Sequence, residues 1–351
     1  MDVVEAFRGQ AAACGRLGST MYADLLGRVA DDLDAGGPSR ELLRGHEDDP
    51  GPSGLALRLA GSVHRLVLER RGGALAAYYP SVGGTWEPEA GWAAFRTLLE
   101  DQPQAVGEWL DRPPQTNEVG RASGLKAGLL ELARHHDLPV RLAEIGSSGG
   151  LNLLADQFRY VGPDGAVGPG DSPVVLDPAW TAGVPQGRPP EVVERVGSDV
   201  MPVDVQSPEG RLALTAYVWP DQVHRFERLR GAFALAARTP YDVRRQSAAE
   251  FVDSLRLAPG TVTVLWHSVM WQYVPREEQA RVTARLEQLG ASATSDSPLA
   301  HLFVEPTRRT PDAPHEFLLC LQTWSGDASD GERRVLATVA AHGLPVTWER
   351  A

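Results

Sequence analysis

The stretch RLAEIGSSGGLNLLADQF, Arg141 to Phe158, decides the fold. An apolar, strand-like run meets a glycine-serine cluster, and the apolar spacing then turns helical. A small-residue turn between strand and helix serves one of three chemistries. It cradles a phosphate, holds the ribose and amino acid of S-adenosylmethionine, or exposes a nucleophilic serine.

Working outward, a helix LKAGLLELARHHD precedes the stretch and short β-type runs alternate with helical ones after it. That alternation predicts a parallel sheet with crossover helices. Seven strands are expected: Val140 to Ile145, Val192 to Gly197, Tyr241 to Arg244, Thr261 to His267, Leu299 to Glu305, Glu316 to Thr323 and Val346 to Glu349. The last two are joined by a shorter segment and are expected to pair antiparallel at one edge. Residues 159–190, rich in Gly and Pro, read as an insertion over the sheet edge. Residues 1–123 read mostly as helix, from MYADLLGRVADDL through GLALRLAGSVHRLVLERRG to EAGWAAFRTLLEDQPQAVGEWL. The expectation is a helical N-terminal domain over 1–123 and an α/β domain over 124–351.

Composition narrows the partners. The chain has 351 residues, 42% of them hydrophobic, which suits a globular protein with a sizeable core. A net charge of -12 with Lys126 as the only lysine argues against gripping a nucleic acid through its phosphates. Cys14 and Cys320 make no disulfide framework and no C-x-x-C, so a reducing compartment is expected. The first residues lack a basic-then-apolar leader and no run reaches membrane-span length, which predicts a cytoplasmic protein without a membrane partner. No histidine spacing of the H-x-x-x-H or H-E-x-x-H kind appears, so no metal site is indicated.

The three turn chemistries separate on residues. A phosphate loop needs Gly-Lys-Ser/Thr, and the turn has no lysine. A dinucleotide turn needs G-x-G-x-x-G, but counting from Gly146 its second and third glycine positions hold Ser148 and Leu151. Gly146 to Gly150 does satisfy G-x-S-x-G, which would make Ser148 a nucleophile, though no H-G-G-G segment lies upstream. The remaining reading puts a carboxylate, Glu144, at the strand end before Gly146, Ser147, Ser148 and Gly149. It is similar to the E-x-G-x-x-G turn of class I S-adenosylmethionine methyltransferases. Small residues there let backbone approach the ligand, and a helix N-terminus faces its carboxylate. Asn152 in the following turn, Asp199 beyond the second strand as the ribose ligand, and the adjoining Val200 complete the expected cofactor wall.

The segments YYPSVGG, QTNEVGR, EIGSSGGLNLLADQFRY, YVWPDQ and WHSVMWQY, in this order, resemble the bacterial domain-of-unknown-function family 2332. The resemblance covers nearly the whole chain. It implies a Rossmann-like, seven-stranded methyltransferase-type sheet, mostly parallel with an antiparallel edge strand, plus a helical N-terminal region. Gln246 and Ser247 stand where such folds commonly place an acidic residue for the adenine amino group.

Two further constellations carry candidate chemistry. QTNEVGR supplies Asn117 and Glu118 to face a methyl acceptor, and Arg121 to pair with the methionine carboxylate bidentately; the structural alternative is a helix cap. The run TVTVLWHSVMWQY ends a strand in Trp266 and His267, with Trp271 and Tyr273 beyond, and His267 is the candidate general base. Trp219, Asp221 and His224 lie on a second loop and are expected, with Trp266, Trp271 and Tyr273, to hold the substrate. The function expected is methyl transfer from S-adenosylmethionine to a small metabolite or a protein. The alternatives are a non-catalytic binding module on the same fold and a serine hydrolase using Ser148.

Overall fold

The computed structural model describes residues 2–47, 49, 54–181, 183–184, 187–327 and 330–349. The chain forms two compact units, Met1–Thr116 with Ser207–Glu227, and Asn117–Gln206 with Arg228–Ala351. Among the described residues no helix is long and apolar enough to cross a membrane.

The first unit holds α1 (Val3–Arg16), α2 (Thr20–Asp34), α3 (Pro38–Leu42), α4 (Leu55–Leu68), α5 (Pro88–Asp101) and α6 (Pro103–Gly107). After α7 (Ala122–Leu132) in the second unit, α8 (Pro208–Ala216) returns to the first, and α9 (Val223–Ala236) carries the chain out again. Apolar residues spaced three and four apart explain the packing: Phe7, Leu25, Val29, Leu59, Val63, Leu66, Phe95 and Val106 share one core. Ser19 accepts from the Tyr22 amide and so caps α2.

In the second unit the strands are β1 (Val140–Ile145), β2 (Arg159–Gly162), β3 (Gly165–Val167), β4 (Val175–Leu176), β5 (Val192–Asp199), β6 (Asp242–Arg245), β7 (Val262–Ser268), β8 (Leu299–Thr307), β9 (Glu316–Trp324), β10 (Arg334–Val339) and β11 (Val346–Trp348). Among the described residues the main sheet has eight strands in the order β11-β10-β9-β8-β7-β1-β5-β6. From β6 to β8 all neighbours are parallel, and β8 to β11 form an antiparallel meander. α7 packs on one face, where a Cβ at Gly128 would lie 2.4 Å from Leu302. α10 (Ala248–Ser254) and α11 (Arg276–Gly290) bury Phe251, Val252, Val282 and Leu286 against Ala143, Ile145 and Leu265 on the other.

Three expectations need correction. The sheet has eight strands rather than seven, because Arg334 to Val339, expected to lie within a connection, is a strand. A bulge between Val335 and Ala337 breaks its two-residue alternation, the signal by which a strand is recognised. This strand lies between the two expected to pair, so β9 and β11 each pair with β10. Third, the segment after the glycine turn is a 3-10 helix, Leu151–Gln157, rather than an amphipathic α-helix. Leu151 to Ala155 are buried without a solvent face, and Arg159 must already enter β2. The Gly/Pro-rich stretch contains a small sheet of order β3-β2-β4, and Trp180 bridges to Val346 on the edge strand β11.

Candidate functional site

Counted along the chain, the five parallel strands stand in the order third, second, first, fourth, fifth. This is the doubly wound arrangement in which ligands bind outside the carboxyl ends of the strands, where the order reverses. Here the reversal lies beside β1, between the turn after β1 and the loop after β7.

The turn after β1 is built from left-handed backbone: Gly146 has φ 67°, Ser148 54° and Gly150 72°. It is tied to the end of β5. The Ser147 amide donates to the Ser198 carbonyl at 3.0 Å, and the Ser147 hydroxyl donates to the Glu144 carbonyl at 2.9 Å. Asp199 accepts from the Ser148 amide at 2.9 Å through Oδ2 and from the Met201 amide at 2.8 Å through Oδ1. Val203 N donates to Ser148 O, and the Tyr241 hydroxyl donates to Gly149 O at 3.0 Å. Asp199 thus orders the turn as well as ending the second parallel strand. Asp199→Ala strands two amides, and it should lower unfolding free energy by about 2 kcal/mol in a urea titration. Asp199→Asn, with one acceptor left, should lose roughly half as much.

Glu144 does not order the turn with its side chain. It is 2% exposed, and its Oε2 has no hydrogen-bond partner, as is true of Asn152 Oδ1 and Trp266 Nε1. Burial, reinforced by Asp199, pushes the Glu144 carboxyl well above the usual carboxylate range, although Trp266, Asn152 and Arg121 favour the charged form. Burial thus favours the protonated form of Glu144. Glu144 pairs in register with Trp266 of β7, so both side chains stand on the α7 face.

His267 is the next residue along β7 and stands on the opposite face, in register with Phe303. Its ring is 1% exposed and stacks against Phe303 and Trp271. Both ring nitrogens are engaged: Nδ1 lies 2.8 Å from Glu305 Oε1, and Nε2 lies 3.0 Å from His301 Nε2. The expected base is enclosed, with no bare nitrogen to offer an acceptor or Ser148. Glu305 also accepts from the amides of Met270 and Trp271, at 3.0 and 3.2 Å. It fixes the loop after β7, whose Met270 lies against Gly146.

The polar segment QTNEVGR joins these two loops. Asn117 is buried and accepts from the Leu151 amide at 3.0 Å, at the end of the glycine turn. Glu118 accepts from the Gly120 amide at 3.0 Å and caps the 3-10 turn Val119–Arg121. Arg121 Nη1 donates to the Ser268 carbonyl at the end of β7, at 3.3 Å. Tyr273 is half exposed in the same loop cluster, and Val200 is 59% exposed with its carbonyl taken by Arg245.

Trp219, Asp221 and His224 belong to the first unit. Trp219 is 6% exposed in that unit's core, beside Tyr22 and Arg225. Asp221 accepts from the Ser19 hydroxyl at 2.7 Å and the Met21 amide at 3.1 Å, supplementing the α2 cap. His224 is exposed on α9. Sequence reasoning missed Glu305 and His301, although His301, Phe303 and Glu305 alternate along one strand face in sequence.

Beside the glycine turn is a cleft of about 630 Å³, lined by Gly149, Pro202–Gln206, Ala236–Tyr241 and Val243. Arg238, Asp204, Gln206 and the Tyr241 ring give it mixed polarity. Among the described residues no group of three or more His, Cys, Asp or Glu side chains is placed to hold a metal ion.

No curated protein matches the chain. Residues 4–348 match the family DUF2332, described as uncharacterized proteins conserved in bacteria. That match spans nearly the whole sequence, and the chain belongs to this family.

Proposed function

We propose that the second unit binds S-adenosylmethionine at the carboxyl ends of its parallel strands, as a methyltransferase-type module acting on a small metabolite or a protein. The observation carrying this reading is the placement of the glycine turn: it follows the first parallel strand, at the point of order reversal, with the Asp199 carboxylate at the end of the neighbouring strand. In this reading Gly146, Ser147, Ser148 and Gly149 give backbone access to the ligand, Arg121 meets its carboxylate, and Asp199 spends its remaining lone pairs on the ribose hydroxyls. Methyl transfer then rests on holding the acceptor in line with the sulfonium.

The enclosure of His267 favours a second reading, a ligand-binding module without turnover, since both ring nitrogens of the expected base are already engaged. The acidic composition goes with an acceptor other than nucleic acid, and two free, buried thiols go with a cytoplasmic setting.

The test is thermal stability with and without nucleosides. A ligand at a hundredfold excess over its Kd stabilises the folded state by about 2.7 kcal/mol. S-adenosylmethionine and S-adenosylhomocysteine should each raise the Tm, and NADH and ATP should leave it unchanged. A folded sample that millimolar S-adenosylhomocysteine does not shift removes both readings. Release of S-adenosylhomocysteine from the methyl donor in cell extract separates the enzyme from the binding module.

A further inference from the structure

Below the loop after β7 runs a chain of hydrogen bonds whose direction is readable from its far end. The Gly331 carbonyl can only accept, so the Gln322 atom facing it at 2.9 Å is the amide nitrogen. That leaves Gln322 Oε1, an acceptor, toward His301 Nδ1 at 3.1 Å. His301 Nδ1 therefore carries a hydrogen. Burial, with His267 adding to it, holds the basicity of His301 down to about 3, so the ring is neutral and its Nε2 is bare. This bare nitrogen lies 3.0 Å from His267 Nε2, which must then donate. At the other side of the ring, His267 Nδ1 meets Glu305 Oε1 at 2.8 Å. That oxygen also accepts two backbone amides, as a carboxylate oxygen does, so Nδ1 donates as well.

We infer that Glu305 is the positioning residue of the crevice loop, acting as one end of a proton-ordered chain Gly331–Gln322–His301–His267–Glu305 in which His267 is a buried imidazolium paired with the Glu305 carboxylate. Charge makes the arrangement consistent. A buried carboxylate with a neutral ring beside it would leave two lone pairs facing each other across the 3.0 Å between the imidazoles. With the cation, every contact in the chain has one hydrogen. Glu305 then holds the amides of Met270 and Trp271 by charge-assisted bonds, and Met270 abuts Gly146 of the glycine turn. That the loop faces a ligand rests on the function proposed above; the proton order does not.

The full-length chain with 15N-labelled histidine tests this at pH 7. His267 should show hydrogen on both ring nitrogens, and His301 on Nδ1 only. In Glu305→Gln the imidazolium signature should vanish, hydrogen exchange at the Trp271 amide should speed at least tenfold, and S-adenosylhomocysteine should bind at least tenfold more weakly. Gln322→Leu covers the case in which Glu305→Gln fails to fold. Its substitution touches neither His267 nor the loop, yet it should move the His301 hydrogen to Nε2 and leave His267 singly protonated. One bare nitrogen on His267 in the unaltered protein, or a His267 signature that survives Gln322→Leu, overturns the inference. The predicted histidine spectra with no binding of S-adenosylhomocysteine would uphold the proton order and reject the ligand.

Discussion

Acidification from pH 7 to pH 4 should cost the first unit of the protein about 3 kcal/mol through a single histidine, His64; in the second unit the matching cost from His301 is opposed by Glu144, whose raised carboxyl gains its proton in the native state first. His64 is fully buried on α4, with Nδ1 3.0 Å from the Ala216 carbonyl and Nε2 2.8 Å from the Ser81 hydroxyl. Burial pulls His64 down to about 4 against the opposing pull of the Ala216 and Val218 carbonyls, and His301 down to about 3 with help from His267. The sign follows from the lowered values. The unfolded chain takes up these protons near pH 6.5 and the native state does not, so stability is present above 6.5 and is lost as pH falls toward the native values. Near pH 5 the first unit should lose about 1.4 kcal/mol per pH unit from His64, and the second should show the His301 slope only once Glu144→Gln removes the opposing carboxyl. Urea titrations at half-unit pH steps, followed by Trp109 fluorescence for the first unit and Trp266 for the second in single-tryptophan variants, read the slopes separately. A first-unit unfolding free energy that stays flat between pH 6.5 and 4.5 would contradict the buried, neutral state of His64, and a flat second-unit profile in Glu144→Gln would contradict that of His301.

Gly343→Ala should be the most damaging small substitution near the crevice. Gly343 has φ 88°, and a Cβ there would lie 2.1 Å from Arg121 N, 2.3 Å from Arg121 Cα and 2.3 Å from the Gly120 carbonyl carbon. All three are backbone atoms, so no rotamer change relieves the overlap. The left-handed conformation adds its own cost for a side chain, and the sum should reach about 3 kcal/mol or more. Because the segment pushed aside carries Arg121, the substitution should also loosen the hydrogen bond to the Ser268 carbonyl. Gly36→Ala serves as a control: Gly36 also has positive φ (74°), but nothing lies within 4 Å of its Cβ position. It should cost only about 1 kcal/mol. Equal losses in the two variants would mean that the contact between Gly343 and the Arg121 segment is slack.

The sequence was most legible where one physical signal acted alone. Val140 to Ile145 is a run of apolar residues ending in a glycine cluster, and β1 has those bounds. Each of the other expected main-sheet strands lies within two residues of its observed ends because turn residues punctuate it. β10 was lost because a bulge removed its alternation. The 3-10 segment was misread because Leu151, Leu154 and Ala155 keep helical spacing while being buried on every side. At the candidate site, residue type singled out the stretches, but side-chain direction had to come from strand register. Trp266 and His267 are adjacent in sequence and stand on opposite faces of β7. Asp221, expected to hold substrate, instead accepts from the first turn of a helix 200 residues away in sequence. Long-range pairing of that kind leaves no periodic trace in a single chain.

The claim that S-adenosylmethionine binds where the strand order reverses is tested most directly by backbone amide shifts on adding S-adenosylhomocysteine. Changes should concentrate at Gly146–Gly150, Asp199–Met201 and Met270–Tyr273, with the amides of Ala236–Arg238 in the neighbouring cleft unmoved. Changes confined to that cleft, or no change at saturating ligand, would contradict it.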